Sequence, residues 1–135
     1  MEQTERICSM ETVLQQAKTA CRALDEALDR YEALEENAEA LNGNINSELQ
    51  ERMHALDEAM ECFQAMEEDV DMLSAYYGSE LWFFDLDCDR AGLLPRDLPR
   101  GVLSEDEAYD LLCDWRELQS RASALFGADE TPATD

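Results

Sequence analysis

Residues 2–41 contain neither proline nor glycine, and their apolar side chains recur at Ile7, Met10, Leu14, Ala17, Cys21, Leu24, Leu28 and Tyr31. The steps alternate between three and four, the heptad seam of a long amphipathic helix. The seam continues less strictly through Leu34, Ala38 and Leu41. At about 1.5 Å per residue this helix reaches roughly 60 Å. Such a rod is not stable alone in water, so the rest of the chain must supply elements that cover its stripe.

The run "NGNINS" then breaks the pattern. Gly43 suits a helix C-cap, and Ser47 with Gln50 has the spacing of a capping box for a second helix over 48–77. That helix places Leu49, Met53, Leu56, Met60, Phe63, Met66, Val70, Leu73 and Tyr77 on one stripe, and its short connection predicts an antiparallel hairpin. A repeat underlies the pair. Residues 23–42, "ALDEALDRYEALEENAEALN", align without gaps on residues 55–74, "ALDEAMECFQAMEEDVDMLS", with nine identities. The shared "ALDEA" and the matched aromatics Tyr31 and Phe63 favour duplication over convergence of two acidic helices. A third helix, 105–126, opens at Ser104 as N-cap with Glu107 as its partner three residues on, and Leu103 is placed to staple onto Ala108. Its seam is Ala108, Leu111, Leu112, Trp115, Leu118, Ala122 and Leu125. The connection at 85–103 is expected to be ordered, anchored by Leu93, Leu94, Leu98 and Val102 and stiffened by Pro95 and Pro99. Residues 128–135 read as a flexible tail. The expectation is an all-α protein: one domain over 1–127, a long helical hairpin with a shorter C-terminal helix in a three-helix bundle.

Charge narrows the function. Ten basic against 33 acidic residues give a net charge of −23. Nonspecific binding of nucleic acid or anionic lipid is unfavourable at that charge, whereas a cationic partner, or mimicry of a polyanion, suits it. No apolar run approaches the roughly 18 residues that span a bilayer, and the N-terminus lacks a signal-peptide pattern. Five cysteines, odd in number and without CxxC spacing, read as reduced thiols of a cytoplasmic protein.

Candidate chemistry is sparse. In "DLDCDRAGLLPR" the carboxylates of Asp85, Asp87 and Asp89 occupy positions 1, 3 and 5 of a calcium loop. Arg90 stands where that loop needs glycine, and Arg96 where it needs a bidentate glutamate, so the pattern fails. His54 is the only histidine, and no Cys–His pair, Glu-x-x-His motif or phosphate-binding glycine loop accompanies it. No catalytic residue, metal ligand or cofactor site is therefore expected. Five aromatics, Tyr76, Tyr77, Trp82, Phe83 and Phe84, crowd into nine residues. They read as a core plug or as a partner-binding anchor. Arg90, Arg96 and Arg100 form the one basic island, expected to pair with the chain's own acids.

The run "YYGSELW…DLDCDRAGLLPRDLPRGVLSEDEAYDLL" resembles the small bacterial family DUF4298, a domain of unknown function. The resemblance rests on Tyr76, Tyr77, Ser79, Trp82, the Gly92-x-Leu94-Pro95 turn, Leu98, the helix start Arg100-Gly101-Val102-Leu103-Ser104-Glu105-Asp106, and then Tyr109, Leu111 and Leu112. The opening "ERICSME" is also similar to the family's N-terminus. Family members are usually shorter, and the repeat would account for the excess; Pro99 stands where the family pattern implies a lysine. The resemblance implies no activity. It marks Tyr76, Tyr77, Trp82, Arg90, Pro95, Arg100, Gly101, Ser104 and Tyr109 as candidate interaction residues.

The reading that follows is a non-enzymatic acidic interaction or scaffold protein that self-associates as a homodimer or binds another protein. Mimicry of nucleic acid to inhibit a nucleic-acid-binding protein is the first alternative, and a metal-dependent enzyme the second. Exposed seam near Ile7 and Met10, or near Leu41 and Leu49, would supply the dimer contact.

Overall fold

In the computed structural model, residues 2–36 and 45–127 are described. Ala38, Leu41, Gly43 and the 128–135 tail lie outside them. Among the described residues five α-helices follow in chain order: α1 (Gln3–Glu36), α2 (Ile45–Ala65), α3 (Glu67–Tyr76), α4 (Glu80–Arg90) and α5 (Glu105–Ala122). A 3-10 turn at Gly101–Leu103 precedes α5, and a π-helical turn at Ser123–Gly127 follows it. No strand occurs among the described residues. The protein is all-α.

The long seam is real. Ile7, Leu14, Ala17, Leu24 and Leu28 are fully buried, and Met10, Cys21 and Leu34 nearly so. Burial of Ile7 and Met10 corrects the expectation that this end of the stripe stays open. Leu49 is half-buried and Met53 exposed.

Several helix bounds also differ from the sequence expectation. The second helix begins at Ile45, so Ser47 lies within its first turn and not at an N-cap. It stops at Ala65, and α3 starts after Met66, where the Val70 amide donates to the Met66 carbonyl at 2.8 Å. Glu67, Glu68 and Asp69 fill the first turn of α3, where the positive end of the helix dipole favours anions. That acidic triplet is the physical signal of the restart. The expected connection at 85–103 is helical as far as Arg90. The C-terminal helix ends in the π turn instead of running regularly to 126. Leu94, Leu98 and Val102 are buried as anchors, whereas Leu93 is 73% exposed.

Packing divides the chain into two units: residues 1–19 with 66–114, and residues 20–65 with 115–135. In the second unit, three helical segments are tied pairwise. Phe63 of α2 stacks on Trp115 of α5 with centroids 3.8 Å apart and planes inclined by 16°, an aromatic contact worth about 0.5–1.5 kcal/mol beyond its burial. Arg121 of α5 reaches Asp25, Asp29 and Glu32 of α1 at 3.0, 2.7 and 2.8 Å. Arg52 of α2 donates to the Arg30 carbonyl of α1 at 2.7 Å. The first unit packs the start of α1 with α3, α4, the 3-10 turn and the start of α5, and holds the residues of the family resemblance.

Candidate functional site

Asp85 is the one buried charged residue in the described core, with no exposed surface. Ser79 caps α4 by accepting from the Trp82 amide, and helical continuation from there carries Asp85 inward. Its Oδ1 accepts from Arg6 Nη2 at 2.7 Å and Gln3 Nε2 at 3.0 Å; its Oδ2 accepts from Arg6 Nε at 3.0 Å and the Tyr76 hydroxyl at 2.6 Å. Burial alone would raise the carboxyl's pKa, but the bonds from Arg6, Tyr76 and Gln3 outweigh it and hold Asp85 below the ordinary carboxylate range. Burial first, and then the Asp85 carboxylate, push the Tyr76 phenol well above its usual value. All four acceptor positions are occupied by the protein itself. The cluster is a latch that ties α1 and α3 to α4.

Helical geometry also settles the calcium question posed by the alternating aspartates. Two residues of α-helix rotate about 200°, so Asp87 points away from Asp85 and Asp89, and the three carboxylates do not converge. Asp85 is latched, Asp87 is exposed, and Asp89 pairs with Arg100.

The residues after α4 form a second set of fastenings. Gly92, at φ 74°, takes the left-handed conformation that ends the helix. Its amide donates to the Asp89 carbonyl at 3.0 Å and that of Leu93 to the Cys88 carbonyl at 2.9 Å, the paired bonds of a Schellman cap. Arg100 pairs with Asp89 and donates to the Pro95 carbonyl and, at 3.1 Å, to the Leu98 carbonyl. Trp82, buried, donates from its indole to the Val102 carbonyl at 3.0 Å, and the Val102 amide donates to Glu11 of α1 at 2.7 Å. A Cβ on residue 101 would meet Glu107 Oε1 at 2.8 Å and Glu11 Oε2 at 3.1 Å, which accounts for glycine there. Ser104 caps α5 by accepting from the Glu107 amide at 3.4 Å. The Glu107 carboxylate does not complete a reciprocal capping box; it pairs with Lys18 at 2.7 Å.

Most of the sequence-predicted candidates are therefore fastenings. Tyr76 and Trp82 are core, Tyr77 is half-buried with its hydroxyl on the Glu105 carbonyl at 3.2 Å, and Arg100, Gly101 and Ser104 secure the turn before α5. The Pro95 ring and Arg90 are exposed, and Tyr109 stands 59% exposed on α5. Arg100 meets an acid of its own chain, as expected for the basic island; Arg90 and Arg96 have no ion pair among the described residues.

What the sequence did not separate is the outer face of α4. Leu81, Phe83 and Phe84 are 45, 52 and 55% exposed, while Trp82, Asp85 and Leu86 of the same helix are buried. Leu81, Phe84 and Cys88 are spaced three and four apart, one stripe of a helix. Extending the helix through "DLDCDR" would have revealed it, since the same rotation that buries positions 82, 85 and 86 turns 81 and 84 outward and leaves Cys88 half-buried at the end of their stripe.

The profile of the family described as "Domain of unknown function (DUF4298)" matches residues 43–123, more than half of the chain. The chain belongs to the DUF4298 family. The match takes in α2 to α5, including the turns at Gly92 and Gly101 and the α4 face. The α1 residues bonded to this region, Gln3 and Arg6 on Asp85, Glu11 on the Val102 amide and Lys18 on Glu107, precede it. No curated protein and no solved structure matches the chain. Among the described residues, no helix is long and apolar enough to cross a membrane, and no three potential ligands gather as a metal site.

Proposed function

We propose that this DUF4298 protein is a non-enzymatic docking module of the cytoplasm whose contact surface is the outer face of α4. One observation carries the reading: two adjacent phenylalanines stand more than half exposed on a helix whose tryptophan is buried. Phe83 sets its ring edge-on against Trp82, with centroids 5.0 Å apart, yet both phenylalanines leave more than half their surface in water, and exposed aromatic anchors of this kind concentrate binding energy at interfaces. The latch and turn fastenings support the same reading, because they spend the motif's polar groups on holding α4 in place. The odd cysteine count supports a reducing compartment. Self-association through the Ile7–Met10 seam has lost its surface, so a dimer would have to use α4 or another face.

The test is site-specific photocrosslinking in cells of the native host. A photoreactive phenylalanine analogue replacing Phe84 should give a discrete adduct, and the same group replacing the exposed Glu117 of α5 should not. No adduct at position 84, or the same adduct from both positions, would refute the assignment.

A further inference from the structure

We infer that the occupant of the α4 face is a cationic amphipathic helix of another protein; this rests on the docking reading above and adds the chemistry of the partner. The face is a narrow stripe. Leu81 to Cys88 spans two turns, roughly 10 Å at about 1.5 Å per residue, and side chains so spaced interdigitate with the ridges of a second helix. Glu80 and Asp87, both exposed and seven residues apart, run along the Phe84 edge of the stripe. Their position relative to it resembles that of the charged residues flanking a coiled-coil seam, which select a partner of opposite sign. The unit that carries α4 holds 17 acidic against five basic residues, so its field favours cations and speeds their encounter.

Other occupants fit worse. A second copy brings the same acids, in a chain of net charge −23, against the same edge. The chain's own 128–135 segment, "ADETPATD", has neither a large apolar anchor nor a cation. Arg90 is exposed at the C-terminal end of α4 and favours an acid on the partner only there, which gives the complex a direction.

The experiment uses the full chain and four labelled synthetic peptides of about five helical turns, read by fluorescence anisotropy. One is an amphipathic Leu/Lys helix, two carry Gln or Glu in place of each Lys, and the fourth scrambles the Leu/Lys sequence. The Leu/Lys helix should bind the wild type best, more weakly as salt rises. Leu81→Ser/Phe84→Ser should weaken it about tenfold or more, in line with the loss of interface anchors, while scrambled-peptide binding stays equal in both proteins. Glu80→Lys/Asp87→Lys keeps the apolar stripe and should shift preference toward the Glu peptide. Equal binding of the Leu/Lys helix to wild type and the serine variant would overturn the docking face itself. Anchor-dependent binding in which the Gln or Glu peptide matches the Leu/Lys peptide would overturn only the cationic partner. Self-association lost in the serine variant would assign the face to a second copy and overturn the inference.

Discussion

Removing Arg6 should unlatch the first unit. Arg6→Ala takes away two of the four donors on Asp85, leaving a carboxylate with no exposed surface bonded to Tyr76 and Gln3 alone. Breaking a buried ion pair from one side costs about 3–5 kcal/mol, because the remaining charge is uncompensated. The Arg6 side chain is itself 16% exposed, so water entering through the vacated channel solvates Asp85 in part, and the expected cost is about 3 kcal/mol, the lower end. Tyr76→Phe removes one hydrogen bond to the charged group and should cost about 1.5–3 kcal/mol. Arg6→Met/Asp85→Leu, which removes both charges, should recover most of the Arg6→Ala loss. The pH dependence follows from the direction of the Asp85 shift. A carboxyl held below its unfolded value stabilises the fold fully above that value, about 3.9, and loses the contribution as pH falls through the folded one. Without Arg6 the burial of Asp85 raises its pKa, so the variant takes up a proton at higher pH than the wild type, and the Arg6→Ala deficit should be largest near neutral pH and shrink as pH falls. Urea unfolding followed by fluorine NMR of 5-fluorotryptophan protein gives one reporter per unit, Trp82 in the first and Trp115 in the second. The Trp82 transition should move at least as far as that of Trp115. An Arg6→Ala cost below about 1 kcal/mol, the range of an exposed ion pair, would refute a buried, charge-paired Asp85.

Four further outcomes follow from the same geometry. Trp115→Ala should destabilise the second unit by about 3–5 kcal/mol through loss of the Phe63 stack and the cavity left behind, read as a lower urea midpoint for that unit. Gly101→Ala should cost about 1 kcal/mol by displacing Glu11 from the Val102 amide, seen as faster hydrogen exchange at Val102. Leu81→Ser/Phe84→Ser, on exposed positions, should shift stability by less than about 0.5 kcal/mol in a urea titration. With acids far in excess of bases, added salt should raise the melting temperature, since screening relieves more repulsion than it weakens attraction at Arg121; a steady fall in calorimetry would reverse that balance.

The sequence stated the helices through periodicity, and their stripes are where Ile7, Leu14, Leu24, Leu56, Phe63 and Trp115 are buried. It misplaced what periodicity does not encode. The break at Met66 has no proline or glycine, only the acids that follow it. The aspartates at 85, 87 and 89 drew attention to their alternation, a pattern of loops and strands, and so hid a helix whose true signal was the Ser79 cap and the Gly92 terminator. Asp85 itself was not legible as a buried group, because its partners Gln3 and Arg6 lie about eighty residues away in the chain. The turn motif was legible as a pattern but not as a purpose: Gly101 leaves room for two carboxylates, one of them on α1, that only the folded chain brings together.

The most direct measurement of the central claim is the solvent exposure of the phenylalanine rings. In protein labelled on its aromatic carbons, a soluble nitroxide should broaden the ring signals of Phe83 and Phe84 strongly and leave Phe63, stacked on Trp115, nearly untouched. That contrast should persist as the protein is diluted. Protection of Phe83 and Phe84 equal to that of Phe63 at every concentration would contradict an open α4 face and with it the docking surface.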